Sequence, residues 1–314
     1  MNRPQLSSPV YLIDASIYIF QAHFSPHVEC YDQQGNELSS LYGFTQFLLQ
    51  FLRRIQPRYL AVARDESLFC GFRHELSENY KSNRELPDEN LEMQLAACGE
   101  ICGILGLQSF SSTVYEADDI IGTLAERVRR DRQGVDVHIL SRDKDLAQLL
   151  KGVNDCLWDY NGNRKRYRAD IVNEFGVHPE QLPDYLGLAG DSVDCISGVP
   201  GVGPVKAKQI LQRFESLKDV YLNLDKMAEL PLRGAGRLAD LLEEHRELAE
   251  LSKVLATIVC DVEDSEESFS AAGLATLQID DIDEIELSSF LNTYKFNARD
   301  NDRIMSAARR INKS

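Results

Sequence analysis

Three carboxylates lie within four residues at the start of a predicted helix. Glu116, Asp118 and Asp119 directly precede an apolar pattern of helical spacing. A helix N-terminus favours negative charge, so capping could explain one or two of these acids. Capping explains three poorly, because carboxylates this close repel each other. A hard divalent cation with oxygen ligands would remove that repulsion.

Four further acids follow predicted strands. Apolar runs of strand length occupy residues 9–13, 59–63 and 135–140, and Asp14, Asp65 and the pair Asp143 and Asp145 come after them. Strands that alternate with helices predict a largely parallel sheet, whose ligands bind at the carboxyl ends of its strands. A single Asp after a strand is more often a turn or capping residue. Three such strands beside an acidic helix start favour a common site.

Two more carboxylates, Asp191 and Asp194, are spaced three residues apart after Gly190. They bring the candidate metal-binding acids to nine. The six histidines show no ligand spacing, so a site made only of oxygen ligands, for Mg²⁺ or Mn²⁺, is favoured.

The segment 71–84 carries cations and an aromatic residue. At about 100° per residue, Arg73, Tyr80 and Arg84 would share one face of a helix, with Lys81 to the side. A solvated charged face is the simpler interpretation of this segment alone. Beside a carboxylate cluster, these cations could instead hold a phosphate.

A glycine-rich hairpin follows the last acids. Gly198, Gly201 and Gly203 lie within six residues, where the backbone can approach a ligand closely. The next helix is predicted to begin at Pro204, with its first N–H groups available to phosphate oxygens. Lys206 and Lys208 add positive charge. A plain tight turn is the alternative, but the spacing is typical of a helix-hairpin-helix that binds a phosphate backbone.

The net charge of −16 does not exclude a nucleic-acid partner, because the acids are unevenly distributed. Residues 261–290 carry ten acids and no Lys or Arg. Setting aside these ten and the nine candidate ligands leaves 31 acids against 34 Lys and Arg. The seven scattered cysteines indicate buried thiols in a reducing compartment, and no apolar run reaches membrane-spanning length. We therefore expect a cytoplasmic protein.

Five motifs together resemble the bacterial and phage 5′-nuclease (flap endonuclease) family, including the N-terminal 5′→3′ exonuclease domain of bacterial DNA polymerase I. They are L-I-D-A-S, F-R-H-E-L-S-E-N-Y-K-S-N-R, Y-E-A-D-D-I-I-G, L-S-R-D-K-D-L-A-Q-L-L and G-D-S-V-D-C-I-S-G-V-P-G-V-G-P-V-K-A. They occur in the family's order between residues 10 and about 215. Because the chain ends at Ser314, the resemblance implies a stand-alone nuclease without a polymerase module.

The resemblance implies an α/β fold: a PIN-like mixed, largely parallel central sheet with helices on both faces, a helical arch and a helix-hairpin-helix (H3TH) module. The expected domains are a catalytic core at residues 1–182 with the arch at about 71–95, the helix-hairpin-helix module at 183–260, and an acidic segment with a helical tail packing on the body at 261–314.

By position, the resemblance assigns roles to three groups of residues. Asp14, Asp65, Glu116, Asp118 and Asp119 correspond to the ligands and surroundings of a first metal ion, and Asp143, Asp145, Asp191 and Asp194 to those of a second. Lys81 and Arg84 correspond to arch residues that contact the scissile phosphate. Apart from these assignments, the patterns of the segment 71–84 and of the hairpin give the expected DNA contacts, which are Arg73, Tyr80, Gly198, Val199, Gly201, Gly203, Lys206 and Lys208.

The implied activity is hydrolysis of DNA phosphodiesters to 5′-phosphate and 3′-hydroxyl products in replication or repair. The implied cofactors are two Mg²⁺ ions per active site, which Mn²⁺ can replace, and K⁺ at the hairpin turn. The implied partners are DNA 5′ ends, flaps or junctions, bound by a monomer and without a membrane. The alternatives are a non-catalytic junction-binding protein and, less favoured, a PIN-type ribonuclease, which needs no helix-hairpin-helix.

Three positions depart from the family pattern. Cys195 stands where Asn usually follows the last Asp, Gln21 where Arg is common, and Arg64 where an apolar residue is usual before Asp65. None of them removes a proposed ligand, but each could weaken substrate positioning.

Overall fold

The computed structural model describes residues 8–67, 70–232 and 234–313. The strands are β1 Val10–Asp14, β2 Tyr59–Asp65, β3 Gln108–Ser112, β4 Val137–Leu140, β5 Cys156–Asp159 and β6 Arg164–Tyr167. The helices are α1 Ala15–His23, α2 Ser39–Ile55, α3 Phe72–Leu76, α4 Glu89–Ile104, α5 Ala117–Asp131, α6 Arg168–Phe175, α7 Leu182–Ala189, α8 Pro204–Arg213, α9 Leu217–Leu222, α10 Leu238–Glu244, α11 Arg246–Ala256, α12 Glu284–Thr293 and α13 Ala298–Ile311. Residues 1–7 and 314, at the ends of the first and last predicted domains, lie outside the described residues.

The chain divides into two compact units. The first contains the described parts of 1–66, 86–142 and 260–314, and the second contains those of 67–85 and 143–259. In neither unit is a described helix long and apolar enough to cross a lipid bilayer.

Four parallel strands form the sheet of the first unit, in the order β3-β2-β1-β4. Ile13 of β1 is aligned with Val62 of β2 on one side and with Leu140 of β4 on the other. All five residues of β1 are buried, as its apolar run predicts. Since β1 and β2 are parallel and in register, their terminal residues Asp14 and Asp65 lie at the same edge of the sheet.

Apolar helix faces cover this sheet. Helix α5 packs against β1, β2 and β3, and its residues Ile120, Ile121 and Leu124 are fully buried. Helix α2 packs against α1 and α4. Helix α5 therefore begins with the predicted acids and continues with the residues that fix it to the sheet.

The acidic segment 261–290 belongs to the first unit and alternates buried apolar residues with exposed acids. Val262, Phe269 and Leu277 are buried, whereas most of the ten acids are exposed. The backbone N–H of Leu60 donates to the carbonyl of Leu277 at 2.8 Å. Helix α12 then packs on α4, and α13 packs on α2. The charge of this segment thus faces solvent while its apolar residues extend the core.

The second unit combines an antiparallel pair, β5 and β6, with a group of helices. Helix α7 packs against both α8 and α11, and α3 packs against α11. A 3₁₀ helix at Asp145–Leu149 follows Asp143. The prediction that one helix contains Arg73, Tyr80 and Arg84 was wrong, because α3 ends at Leu76.

The contact of the acidic segment with the first unit can be tested at Gly106. This residue has a φ of +73°, and its carbonyl accepts a hydrogen bond of 3.0 Å from the backbone N–H of Asp280. A Cβ atom at Gly106 would overlap the Asp280 carbonyl. We expect Gly106→Ala to lower the free energy of unfolding by at least about 2 kcal/mol, measured by urea denaturation.

Gly103, in α4, provides the matched control. A Cβ atom there would meet nothing within 4 Å apart from the helix's own backbone. Because Ala is the better helix former, Gly103→Ala should raise the free energy of unfolding by about 0.5–1 kcal/mol. Equal stability of Gly106→Ala and the wild type would contradict the packing described here.

Candidate active site

In the first unit, neutral donors hold the acids at the strand ends. Asp65 accepts a 2.8 Å hydrogen bond from the Ser16 hydroxyl and a 2.7 Å bond from the backbone N–H of Ala117. Asp14, which is buried, accepts a 2.8 Å bond from the Ser141 hydroxyl. The bond from Ala117 fixes the start of α5 to the end of β2, so the acids of two elements meet at this edge of the sheet.

The acids at the start of α5 have separate roles in the fold. Glu116 is the N-cap residue, and its backbone N–H donates to the side chain of Asp119 at 3.1 Å within a capping box. Asp119 is fully buried, Glu116 is nearly so, and Asp118 is half-buried. Capping therefore explains part of what Asp119 does, as the simpler interpretation of this motif allows.

In the second unit, a tight loop holds Asp191 and Asp194. Asp191 and Ile196 exchange two backbone hydrogen bonds of 2.8 and 2.7 Å, and the Asp191 side chain accepts a 2.9 Å bond from the N–H of Val193. Both aspartates are about 8% exposed. Asp143 accepts a 2.9 Å bond from the N–H of Asp145, which fixes that pair in the same way.

The cations predicted to hold phosphate lie on Asp194. Arg84 Nη2 is 3.1 Å from Asp194 Oδ1, and Lys81 Nζ is 3.9 Å from Oδ2. The backbone N–H of Lys81 also donates to the Asp194 carbonyl at 3.0 Å. The structure thus brings together residues that are separated by about 110 positions in the sequence.

Two residues that lie close to Asp194 have strained backbone conformations. Lys81 and Cys195 have φ values of +50° and +56°, a left-handed conformation that side chains other than glycine rarely adopt. The Ser82 hydroxyl is 3.9 Å from the Cys195 sulfur. Asn tolerates this conformation better than Cys, which gives a physical reason for the residue usual in the family.

Lys144 is the site residue that the sequence analysis missed. Its ammonium group contacts Asp191 directly and lies 3.3 Å from Asp145 Oδ1. Burial lowers the pKa of Lys144, but the charges of Asp145 and Asp191 outweigh burial and raise it above its ordinary value. The signal in the sequence was a lysine placed between two predicted ligands, in D-K-D.

Asp145 is crowded by neighbouring carboxylates. Burial and then the charge of Asp143 raise the pKa of Asp145 to about 7, against the opposing effect of Lys144. Carboxylates that repel in this way favour a bound cation or a proton.

No three His, Cys, Asp or Glu side chains within residues 8–67, 70–232 and 234–313 converge closely enough to hold a metal ion. The chemistry of the donors nevertheless fits a hard divalent cation, because all nine candidates are carboxylates and Asp145 is crowded by like charge. The assignment of these nine residues as metal ligands therefore stays a prediction.

Two predicted DNA contacts have a different role in the structure. Arg73 is 3% exposed, and its guanidinium donates to the backbone carbonyls of Leu255 at 2.9 Å and Thr257 at 2.6 Å. Tyr80 is also buried, with its ring 5.4 Å from that of His74. Because α3 ends at Leu76, Tyr80 and Arg84 do not share a helical face with Arg73.

The hairpin between α7 and α8 divides the other predicted DNA contacts into buried and exposed groups. Gly198 and Val199 are buried, and their backbone N–H groups donate to Ser252 Oγ and to the Leu188 carbonyl. Gly201 and Gly203 are exposed at the turn that precedes α8. The buried Gly198 and Val199 therefore hold the turn in place, and the exposed Gly201 and Gly203 form its solvent-facing part.

The two hairpin lysines differ in how they are held. Lys206 Nζ donates to the Gly201 carbonyl at 2.7 Å, which fixes its charge at the turn. The side chain of Lys208 lies over Gly176, where a Cβ atom would overlap it. Both ammonium groups belong to the first two turns of α8, whose N-terminus favours anions.

The departures from the family pattern outside the hairpin are accommodated by the fold. Arg64 donates to Ser109 Oγ at 3.0 Å and Ser111 Oγ at 3.1 Å, and pairs with Glu66 at 2.8 Å. Gly99 of α4 leaves the space that its guanidinium fills. Gln21 is half-buried on α1.

Two family models match the chain in succession. The 5′-3′ exonuclease N-terminal resolvase-like domain matches residues 9–178, and the 5′-3′ exonuclease C-terminal SAM fold matches residues 177–284. The chain belongs to the 5′-3′ exonuclease family. The resemblance drawn from the five motifs is therefore confirmed, as is the expectation of a nuclease.

Individual relatives agree with membership in the 5′-3′ exonuclease family. The 5′-3′ exonuclease of Buchnera aphidicola subsp. Acyrthosiphon pisum is 30% identical over 258 residues, which are 82% of this chain and 88% of that protein. DNA polymerase I of Pseudomonas aeruginosa is 39% identical over 260 residues, which are 82% of this chain but 28% of the polymerase. The chain thus spans little more than a quarter of the length of the polymerases that it matches.

Solved structures confirm the predicted fold class of this 5′-3′ exonuclease family member. T5 5′-exonuclease with bound zinc ions superimposes with a TM-score of 0.62 at 18% identity, covering 97% of this chain and 99% of that chain. The catalytic core of Rad2 in complex with DNA substrate gives a TM-score of 0.59 at 17% identity, covering 96% and 92%.

Arg73 and Arg84, two arginines of one segment, should behave in opposite ways. Arg73→Met leaves two carbonyls without their charged donor and should lower the free energy of unfolding by about 2–4 kcal/mol in urea denaturation. The side chain of Arg84 is 48% exposed, so Arg84→Met should change the free energy of unfolding by no more than about 0.5 kcal/mol. That variant should instead lower nuclease activity by about 10²-fold. Unchanged stability of Arg73→Met together with lost DNA binding would restore Arg73 as a DNA contact.

Proposed function

We propose that this chain is a structure-specific 5′-nuclease, acting as a 5′→3′ exonuclease and a flap endonuclease, that hydrolyses DNA phosphodiesters in Mg²⁺. Its products would be 5′-phosphates and 3′-hydroxyls, and its substrates DNA 5′ ends, flaps or junctions bound by a monomer. The T5 and Rad2 proteins, whose fold it shares, are described with divalent metal ions and with DNA substrate.

The main support for this proposal is that Lys81 and Arg84 both form ion pairs with Asp194. An acidic donor set alone would serve a structural cation equally well. Two cations beside it add what a phosphodiester requires, namely positive charge for the phosphoryl oxygens next to the carboxylates. Arg84 is suited to this because its side chain is half exposed and can move from Asp194 to a substrate.

When bound, divalent ions would activate water and neutralise charge on the attacked phosphate. Asp14, Asp65, Glu116, Asp118 and Asp119 would hold one ion, and Asp143, Asp145, Asp191 and Asp194 the other. Lys81 and Arg84 would orient the scissile phosphate. The Ser16 and Ser141 hydroxyls orient Asp65 and Asp14 by donating hydrogen bonds to their carboxylates.

The hairpin would bind the duplex through its phosphates. Gly201 and Gly203 present backbone at the start of α8, and Lys206 and Lys208 supply charge beside it. Contacts of this kind fix register without reading bases, so recognition should follow junction shape instead of sequence. K⁺ bound at the same turn would add to the attraction for phosphate.

The activity can be tested with a 5′-labelled flap duplex. In Mg²⁺ or Mn²⁺ we expect cleavage near the junction, and we expect it to fall at least about 10²-fold in Asp143→Ala. Replacing Mg²⁺ by Ca²⁺ should also stop cleavage. A labelled single-stranded RNA serves as the substrate for the PIN-type ribonuclease alternative.

The result separates the candidate functions. Tight, salt-sensitive binding of the flap without cleavage in either metal would favour a junction-binding protein, with Gln21, Arg64 and Cys195 the first positions to revert. Cleavage of the RNA with no cleavage of the flap would favour the ribonuclease.

Salt dependence tests the proposed phosphate contacts. Lys208→Ala should weaken flap binding uniformly across sequences and reduce the slope of log affinity against log salt by about 1, measured by fluorescence anisotropy. Lys226→Ala, which removes an exposed lysine of the same unit outside α8, is the control and should leave the slope unchanged. Equal slopes for wild type and Lys208→Ala would remove Lys208 from the interface.

A further inference from the structure

Lys144 lies among carboxylates that are proposed to bind the second metal ion. Its ammonium group contacts Asp191 and is 3.3 Å from Asp145 Oδ1, so it joins two candidate ligands that are 46 positions apart. The side chains of these aspartates are 6% and 11% exposed, whereas that of Lys144 is 34% exposed. The lysine therefore reaches into the acids from the solvent side.

We propose that Lys144 is a resident counter-ion of the second donor set, and that a divalent cation must displace its ammonium group to bind Asp145 and Asp191. The inference rests on the proposed function, because it takes these two aspartates as ligands. An ammonium group and a metal ion cannot share the same carboxylate oxygens without strong repulsion. Lys144 would thus lower the affinity for the second metal ion and make the binding of that ion depend on movement of the lysine side chain.

The surroundings give Lys144 room to move. Lys144 lines an open cavity of about 410 Å³ together with Tyr185, Ser192 and Pro204. A flexible four-carbon stem allows an ammonium group to move from one partner into solvent without a change in the backbone. The ammonium can therefore leave Asp191 while the backbone of the D-K-D segment stays in place.

A second lysine of the same unit shows what a purely structural pair looks like. Lys253 Nζ is 2.7 Å from Asp184 Oδ1, with side chains 35% and 7% exposed, almost the same values as for Lys144 and Asp191. Asp184 Oδ1 also accepts the N–H of Leu217 at 2.7 Å, which ties it to the start of α9. Lys253 thus compensates an aspartate used by the fold, whereas Lys144 compensates aspartates that are candidate ligands.

Titration of the full-length protein with Mn²⁺, followed by calorimetry and by the EPR signal of free Mn²⁺, tests the proposal without measuring cleavage. Asp191→Asn should remove the binding phase that belongs to the second donor set and so identify it. In that phase, Lys144→Met should bind Mn²⁺ at least about tenfold more tightly than wild type, because one positive charge has left the donor set. Lys144→Arg keeps the charge and should bind as wild type does.

Lys253→Met is the matched control, and it should lower thermal stability while leaving Mn²⁺ affinity unchanged. Lys144→Gln, which is also uncharged, should reproduce the result if Lys144→Met folds poorly by circular dichroism. Binding that is equal or weaker in both uncharged variants would overturn the inference while leaving the proposed function intact. Failure of wild type and all variants to bind Mn²⁺ would overturn both.

Discussion

The fold must hold many carboxylates close together without losing stability, and the rest of the candidate site depends on how this repulsion is balanced. Buried like charges are costly unless each has hydrogen bonds or an opposite charge. In the first unit the balance at Asp65 comes from neutral donors, the Ser16 hydroxyl and the Ala117 amide. In the second unit it comes from the cations Lys144, Lys81 and Arg84. Neutral donors orient a carboxylate and leave its charge available, whereas cations neutralise it.

The same principle explains how a chain with a net charge of −16 stays folded. In the acidic segment 261–290, apolar residues such as Phe269 and Leu277 are buried while the acids alternate outward into solvent. Exposed charges of like sign repel weakly at physiological ionic strength, because salt screens them within about 8 Å. The large charge therefore lies mainly on the surface of the first unit, whereas the buried Asp14 and Asp191 are held by specific partners.

Much of this architecture could be predicted because its signals are local. An apolar run that ends in Asp indicates a buried parallel strand, with the Asp at the carboxyl end where ligands bind. The glycines around Gly198 indicate a tight hairpin, and a Cβ atom at Gly198 would indeed overlap the neighbouring backbone. The role of Arg73 could not be predicted in this way. Its partners are backbone carbonyls at Leu255 and Thr257, and any residue type could have supplied them. Lys144 was missed for a similar reason, since its contact with Asp191 depends on tertiary structure.

Arg64 shows how one departure from a family pattern can conceal a neighbouring element. Strand β3, Gln108–Ser112, was not predicted, because its sequence is too polar for a buried strand. In the sheet, Arg64 of β2 is aligned with Ser111 of β3, and the hydroxyls of Ser109 and Ser111 accept hydrogen bonds from its guanidinium. An arginine inside a sheet requires hydrogen-bond acceptors on the neighbouring strand. In β3 these acceptors are serines, which stand where the alternating apolar residues that indicate a strand would otherwise be. The polar sequence of β3 and the unusual Arg64 therefore have the same cause, which is the need to satisfy a guanidinium within the sheet. Gly99 of α4 contributes by leaving space for that guanidinium.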